Sequence, residues 1–330
     1  MHIIISMLAL FLLVTSLPGN AQTPLEQAFG ELQKGTELPE ELQSTRSAVF
    51  LKASSLDATG GDAVDWGPLV EELHKYLVAM YIDAVAYYSW QDLNAGFDAT
   101  ESYMEVLRDR EINQIVLLAI DKGNFQIYII PTDDHPGLLA TDSPTWYTSS
   151  NSLESAIETL AAVVRRTGLD IGNFLIAESP EFFTDTEIFM KNRFETFQQD
   201  LKLDKLAAPL FFGQDPENTE TSEDRELESI LGREYPFNYE LVSANFTEAL
   251  MKKAGFQYVL RYLHAEESTL KLLLDYTRQA DSPSKLVYKF YIKHLITGDI
   301  YLGDTWDSQT SWQEALNVHL TNMKKSLKVE

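Results

Sequence analysis

The sequence predicts an α/β protein, a mixed α+β sheet architecture built from two tandem modules. Three observations predict it. Short apolar runs of strand length alternate with amphipathic stretches of helical spacing along the chain. Some runs, such as Ile115 to Ile120, are continuously apolar, as strands covered on both faces are. The order of elements then recurs, so that both halves read β-α-β-α-β-β-α.

Met1 to Ala21 carries no Asp, Glu, Lys or Arg and is almost wholly apolar from Ile3 to Val14. It ends in Leu17-Pro18-Gly19-Asn20-Ala21, where small residues either side of Asn20 fit a signal-peptidase site. Residues 1–21 therefore read as a signal peptide, and the expected location is periplasmic or extracellular. The apolar run is shorter than the ~20 residues that span a bilayer, so no integral membrane span is expected after cleavage. Residues 22–43 hold a short helix, Pro24 to Gln33, and the acidic linker Glu37-Leu38-Pro39-Glu40-Glu41.

The first module covers residues 44–170. Ser47 to Leu51 is a strand, Asp57 to Trp66 a Gly- and Asp-rich loop, and Pro68 to Met80 a helix whose Leu69, Leu73, Tyr76 and Leu77 share a face. Asp83 to Ser89 is a strand. Asp98 and Glu101 read as the cap of a helix running to Arg110. The strand Ile115 to Ile120 turns at Asp121-Lys122-Gly123-Asn124 into a second strand with Phe125, Ile127 and Ile129 inward. A helix with Leu153, Ile157, Leu160 and Val164 on one face stops at Gly168. Residues 171–204 are expected to connect the modules through a strand, Phe174 to Ala177, and a helix with Met190, Phe194, Phe197 and Leu201 on one side.

The second module, residues 205–330, runs in the same order. Ala208 to Phe212 is strand-like, Glu223 to Arg233 a helix, Tyr239 to Val242 a strand, Thr247 to Ala254 a helix closed by Gly255, and Gln257 to Leu263 a strand. A Leu-rich helix (Leu270, Leu272, Leu273, Leu274) intervenes where the first module has a tight turn. Leu286, Tyr288, Phe290 and Ile292 alternate inward, which assigns Lys285, Lys289 and Lys293 to an outer face, an edge device or a docking surface. Ile300 to Leu302 forms the hairpin partner. Ser311 and Glu314 cap a last helix that buries Trp312, Leu316, Leu320, Met323 and Leu327.

Composition bounds the function. The net charge is −24, a balance that repels nucleic acid and anionic lipid. No cysteine occurs, which excludes disulfides, Fe–S clusters, thiolate zinc sites, Cys nucleophiles and a lipidated cysteine.

The stretches Tyr239-Glu240-Leu241-Val242 and Leu250 through Gly255-Phe256-Gln257-Tyr258-Val259-Leu260 carry a resemblance. With the order of elements around them, they resemble the small αβ module of bacterial envelope proteins. That module occurs at the amino end of the Tol-system β-propeller protein, in the periplasmic part of the curli secretion channel and in activators of penicillin-binding proteins. The resemblance covers residues 205–330 and extends to 44–170 through the repeat. It implies protein–protein or envelope interaction without catalysis.

No Gly-x-Ser-x-Gly elbow, His-Glu-x-x-His helix, Walker loop or Gly-x-Gly-x-x-Gly turn occurs. His135, beside Asp133 and Asp134, reads as part of a turn, and His319 as a core histidine. Asp57, Asp62 and Asp65 around Gly60-Gly61 offer oxygen donors of the kind Ca²⁺ takes, without the full EF-hand pattern. Otherwise no cofactor is expected. Asp304, Trp306, Asp307 and Trp312 cluster in sequence, and carboxylates beside aromatic faces suit a sugar or peptide. Three functions fit these residues. The first is a non-enzymatic exported protein that binds an envelope partner or acts as a scaffold. The second is a glycan or small-molecule binder using the cleft between modules, with Trp306 or Trp146 as platform. The third is a carboxylate-dependent hydrolase.

Overall fold

The structure is a computed structural model that describes residues 24–53, 66–132, 139, 144–181, 192–211, 221–276 and 285–329. The leader, the Asp57–Asp65 loop, the Asp133–His135 turn and Met190 lie outside the described residues.

In the first half the elements are α1 (Pro24–Glu31), β1 (Lys34–Gly35), β2 (Arg46–Ala53), α2 (Trp66–Ala79), β3 (Asp83–Ser89), α3 (Trp90–Leu93), α4 (Phe97–Asp109), β4 (Ile112–Asp121), β5 (Asn124–Pro131), β6 (Thr145–Ser150) and α5 (Leu153–Thr167). In the second they are β7 (Arg193–Phe194), β8 (Leu206–Pro209), α6 (Ser222–Glu234), β9 (Tyr239–Val242), α7 (Glu248–Lys253), β10 (Tyr258–Glu266), α8 (Glu267–Leu273), β11 (Leu286–His294), β12 (Ile300–Tyr301) and α9 (Trp312–Ser326). No described helix is long and apolar enough to cross a membrane.

The strands form two six-stranded sheets, β1-β6-β5-β4-β2-β3 and β7-β12-β11-β10-β8-β9. The orders are the same once each strand is matched to its counterpart six strands later. The polarities match too. β2 is parallel to β3 and β4, as β8 is to β9 and β10. The next two pairings in each sheet are antiparallel, and the last is parallel. The α/β class and the two modules read from the sequence are thus present. Each sheet also recruits a two-residue strand, β1 or β7, from the segment ahead of it, pieces too short for any periodicity to reveal.

Local chemistry explains the elements. Lys122 and Gly123 both take positive φ, 50° and 77°, which lets two residues join β4 to β5 with matching twist. Gly168 closes α5 in the left-handed conformation and Ser152 caps its start. α2 and α5 cover one face of the first sheet with Leu73, Leu77, Ile157 and Leu160. α1, α3 and α4 cover the other with Leu25, Trp90, Tyr103 and Leu107. In the second sheet α6 and α9 repeat the first arrangement. The remaining face is different. α7 has 6 residues where its counterpart α4 has 13, so it covers only Ala207, Val242 and Val259. The rest is filled by α8 and by Ala95 and Ala99 of the first module, packed on Leu263, Val287 and Tyr291.

Three sequence expectations change. Phe174 to Ala177 is not a strand; residues 171–181 run as an extended strap. The expected helix through Phe194 and Leu201 is instead the edge strand β7 and a 3-10 turn, Gln199–Lys202. Leu201 and Phe197 still reach the core, which is why their spacing looked helical. The third change concerns the lysine face. Lys289 and Lys293 face a covered surface, because α8 and the first module close over that side of β11.

Candidate functional site

Among the described residues, polar groups gather at several places, four of which bear on function. The first is the junction between the modules, at the start of α4. Gly96 is its N-cap, without a side-chain bond. Asp98 is therefore not the cap expected from sequence; it points into the second module and is buried. Tyr291 Oη donates to Asp98 Oδ2 at 2.7 Å and Lys293 Nζ to Asp98 Oδ1 at 3.1 Å. Lys293 also reaches Glu248 at 2.7 Å. The buried guanidinium of Arg261 lies 3.5 Å from Asp98, 3.7 Å from Glu248 and over the Phe97 ring. Burial pulls the Lys293 pKa down, but Asp98 and Glu248 outweigh it and hold the ammonium above its usual value. Burial pushes the Tyr291 hydroxyl well up, helped by Asp98.

Glu101, one turn along α4, keeps an exposed flank. Desolvation of its carboxyl and the charges of Asp98 and Glu248 raise it to about 7, against the opposing pull of Lys293 and Arg261. Carboxylate oxygens of Asp98, Glu101 and Glu248 lie within 4.8 Å of one another, close enough to share a cation. Lys293 and Arg261 already occupy that role, so the arrangement works as an internal ion cluster.

The second place holds the residues singled out in sequence. Asp307 is buried and accepts from Lys289 Nζ at 2.5 Å; its other oxygen faces His319 Nδ1 at 3.3 Å and Asn322 Nδ2 at 3.3 Å. Burial would raise its pKa, but Lys289 and His319 hold it at about 2. Burial keeps His319 below its ordinary value. Trp306 donates from Nε1 to Glu267 at 3.0 Å and leans on Tyr276. Trp312 packs against Phe211 on the opposite face of the sheet and is 5% exposed. Asp304 is exposed and accepts from Thr305. The structure thus joins Asp307 to Lys289, 18 positions before it, and to His319, 12 positions after it, and sets the two tryptophans on opposite faces. Trp146 is a core residue of the first module, and among the described residues Ala95 and Ala99 pack on Leu263, Val287 and Tyr291 where the modules meet.

The third place is a groove of about 460 Å³ at the amino ends of β2, β3 and β4. Arg46, Asp83, Asn113 and Asn173 line it. Gly172 N–H donates to Gln43 O and Asn173 Nδ2 to Thr45 O, which anchors the strap there. Phe174 is 73% exposed and Leu175 98% exposed at its rim. Nothing in the hydropathy pattern marks this, since both residues read as strand core.

The fourth is a pocket of about 400 Å³ where β10 ends and α6 and α9 begin. Ser222, Glu223, His264, Tyr288, Trp312 and Gln313 line it. His264 stacks flat on Tyr288, with centroids 3.9 Å apart and planes 8° apart. Burial lowers its pKa to about 4, so the ring is neutral near pH 7. The strand residues that line the pocket, His264, Leu286 and Tyr288, come from the antiparallel pair β10 and β11. Comparison of the chain with known protein families, with curated proteins and with solved structures finds no match.

Proposed function

We propose that this chain is a non-enzymatic, exported interaction protein of a bacterial cell envelope, which uses two fixed modules to hold a partner protein. The observation that carries this reading is the strap groove. Two large apolar side chains, Phe174 and Leu175, are held out in water beside a cavity lined by polar groups. Exposed apolar groups rimmed by polar ones are a common mark of protein contact. The resemblance of the modules to envelope modules and the apolar leader support the same reading. Asp307 is engaged by Lys289 and His319 and lies apart from the exposed Asp304, which favours the interaction reading over a hydrolase built on those two acids.

The test compares wild type with the double variant Phe174→Ser/Leu175→Ser in cross-linked capture from envelope extracts. Both should melt at the same temperature, and a protein captured by wild type should be lost with the variant. Identical captures by the two would overturn the reading.

A second reading rests on the pocket beside His264. Its volume suits a small ligand, and its Trp312, Glu223 and Gln313 offer an aromatic edge and hydrogen-bonding groups of the kind sugars use. A thermal-shift screen of mono- and oligosaccharides tests it, since binding to the native state raises the melting temperature. No shift with wild type, or the same shift with His264→Ala, would remove it.

A further inference from the structure

A strand at the end of a sheet leaves every second N–H and C=O without a sheet partner. β3 and β9 are the terminal strands at equivalent ends of the two sheets. The edge of β3 is covered. The strap starts beside Tyr81, whose carbonyl accepts from Asn173 Nδ2, and ends beside Tyr87, whose N–H donates to Glu181 O at 3.0 Å. Midway, the carbonyl of Ala177 faces His74 Nε2 at 2.9 Å. The strap thus runs parallel to β3 along its outer side.

β9 has no such cover among the described residues. Its ladder to β8 uses the groups of alternate residues: Leu206 N–H donates to Asn238 O and Leu210 N–H to Val242 O. Tyr239 and Leu241 therefore turn their N–H and C=O outward. The two edges correspond residue by residue. Ala48 lies between Ala86 and Ile115 as Ala207 lies between Glu240 and Val259. Leu241 therefore stands where Tyr87 stands, with its N–H aimed as the Tyr87 N–H is.

We propose that the outer edge of β9 is a docking site for an extended polypeptide segment of a partner protein, paired with Tyr239 and Leu241 as the strap is placed along β3. The molecule itself supplies the precedent for the occupant's form, since an extended segment covers the equivalent edge. Its chemistry follows from the surroundings. Phe237, Tyr239 and Leu241 are partly buried against the core beside the edge and suit apolar side chains. A net charge of −24 disfavours an acidic segment. The inference rests on the reading of the chain as an interaction protein but uses a different surface from the groove.

The test is selection of short random peptides displayed on phage against the full chain. Leu241→Pro removes the outward N–H and the leucine side chain while leaving the β8 ladder intact, because that N–H takes no part in it and edge strands tolerate proline there. Leu241→Ala controls for the side chain. Selected peptides should bind wild type, Leu241→Ala and the Phe174→Ser/Leu175→Ser variant. They should bind Leu241→Pro roughly tenfold more weakly or worse, and peptide should slow exchange of the Leu241 amide in NMR spectra of wild type. If Leu241→Pro does not fold, that amide decides: slowed exchange supports the proposal and unchanged exchange overturns it. The proposal is also overturned if no peptide is selected, if binding to folded Leu241→Pro is unchanged, or if binding is lost in the groove variant. Self-association of wild type that Leu241→Pro abolishes would overturn it too, by assigning the edge to a second copy.

Discussion

Asp98 is the acid on which the charges at the junction converge. It accepts from Tyr291 and Lys293 and faces Arg261, all three on the other module. Removing one partner of a buried ion pair leaves the others desolvated and unmatched, at a cost of about 3–5 kcal/mol. Asp98→Ala should lose stability of that order in urea unfolding, and a loss below about 1 kcal/mol would contradict the cluster. Glu101 acts with the opposite sign. Its folded pKa of about 7 lies above the ordinary carboxylate value, so the folded state holds the proton more tightly. Stability from this group is complete below about pH 4, falls as pH rises toward 7 and is flat above. Glu101→Gln should therefore be more stable than wild type at pH 8 and lose that advantage at pH 4, measured by thermal unfolding at both values. Asp307 gives the usual acid signature. Its folded pKa of about 2 is depressed, so its stabilisation is present above about pH 4 and is lost as pH falls toward 2. Asp307→Asn should flatten the acid limb of the stability curve.

At the scale of elements, the start of α4 decides how the modules meet. A Cβ on Gly96 would come within 2.6 Å of the Tyr262 carbonyl oxygen, main chain that does not yield cheaply, while Ala95 O accepts from His264 N–H beside it. Gly96→Ala should loosen the junction and speed amide exchange along β10. Equal exchange in β10 of the variant and wild type would contradict the close approach. The turn from α4 into β4 offers a second test. Glu111 takes φ 57° where Gly255 takes 87° at the matching turn into β10. Glu111→Gly should then stabilise by up to about 1 kcal/mol, since a side chain in the left-handed region is strained.

These elements also show what the sequence discloses. Caps and turns follow local chemistry, so Gly168, Lys122-Gly123 and Ser311 are legible from a few residues. Alternation along β11 is legible too. What covers its second face is not, because that depends on Ala95 and Ala99, nearly two hundred positions earlier. Lys289 and Lys293 therefore read as solvent-facing when their acids are Asp307, Asp98 and Glu248. Phe174 and Leu175 mislead in the opposite direction, since apolar residues in a row read as core.

The described residues form one folding pattern used twice, and an asymmetry between the copies joins them. The shorter α7 leaves part of the second sheet bare, and the first module together with α8 closes it. The repeat was visible in sequence because helix-to-strand steps keep their order. The joint was hidden because it has no counterpart in the first module. The buried contacts at the junction couple the two modules into one cooperative body.

A double-mutant cycle across the junction tests that claim most directly. Asp98→Asn, Lys293→Met and the pair together would be compared by urea unfolding of the full chain. The account predicts a coupling energy of about 1–3 kcal/mol between residues 195 positions apart. Additive effects, within about 0.5 kcal/mol, would mean that the modules do not meet there.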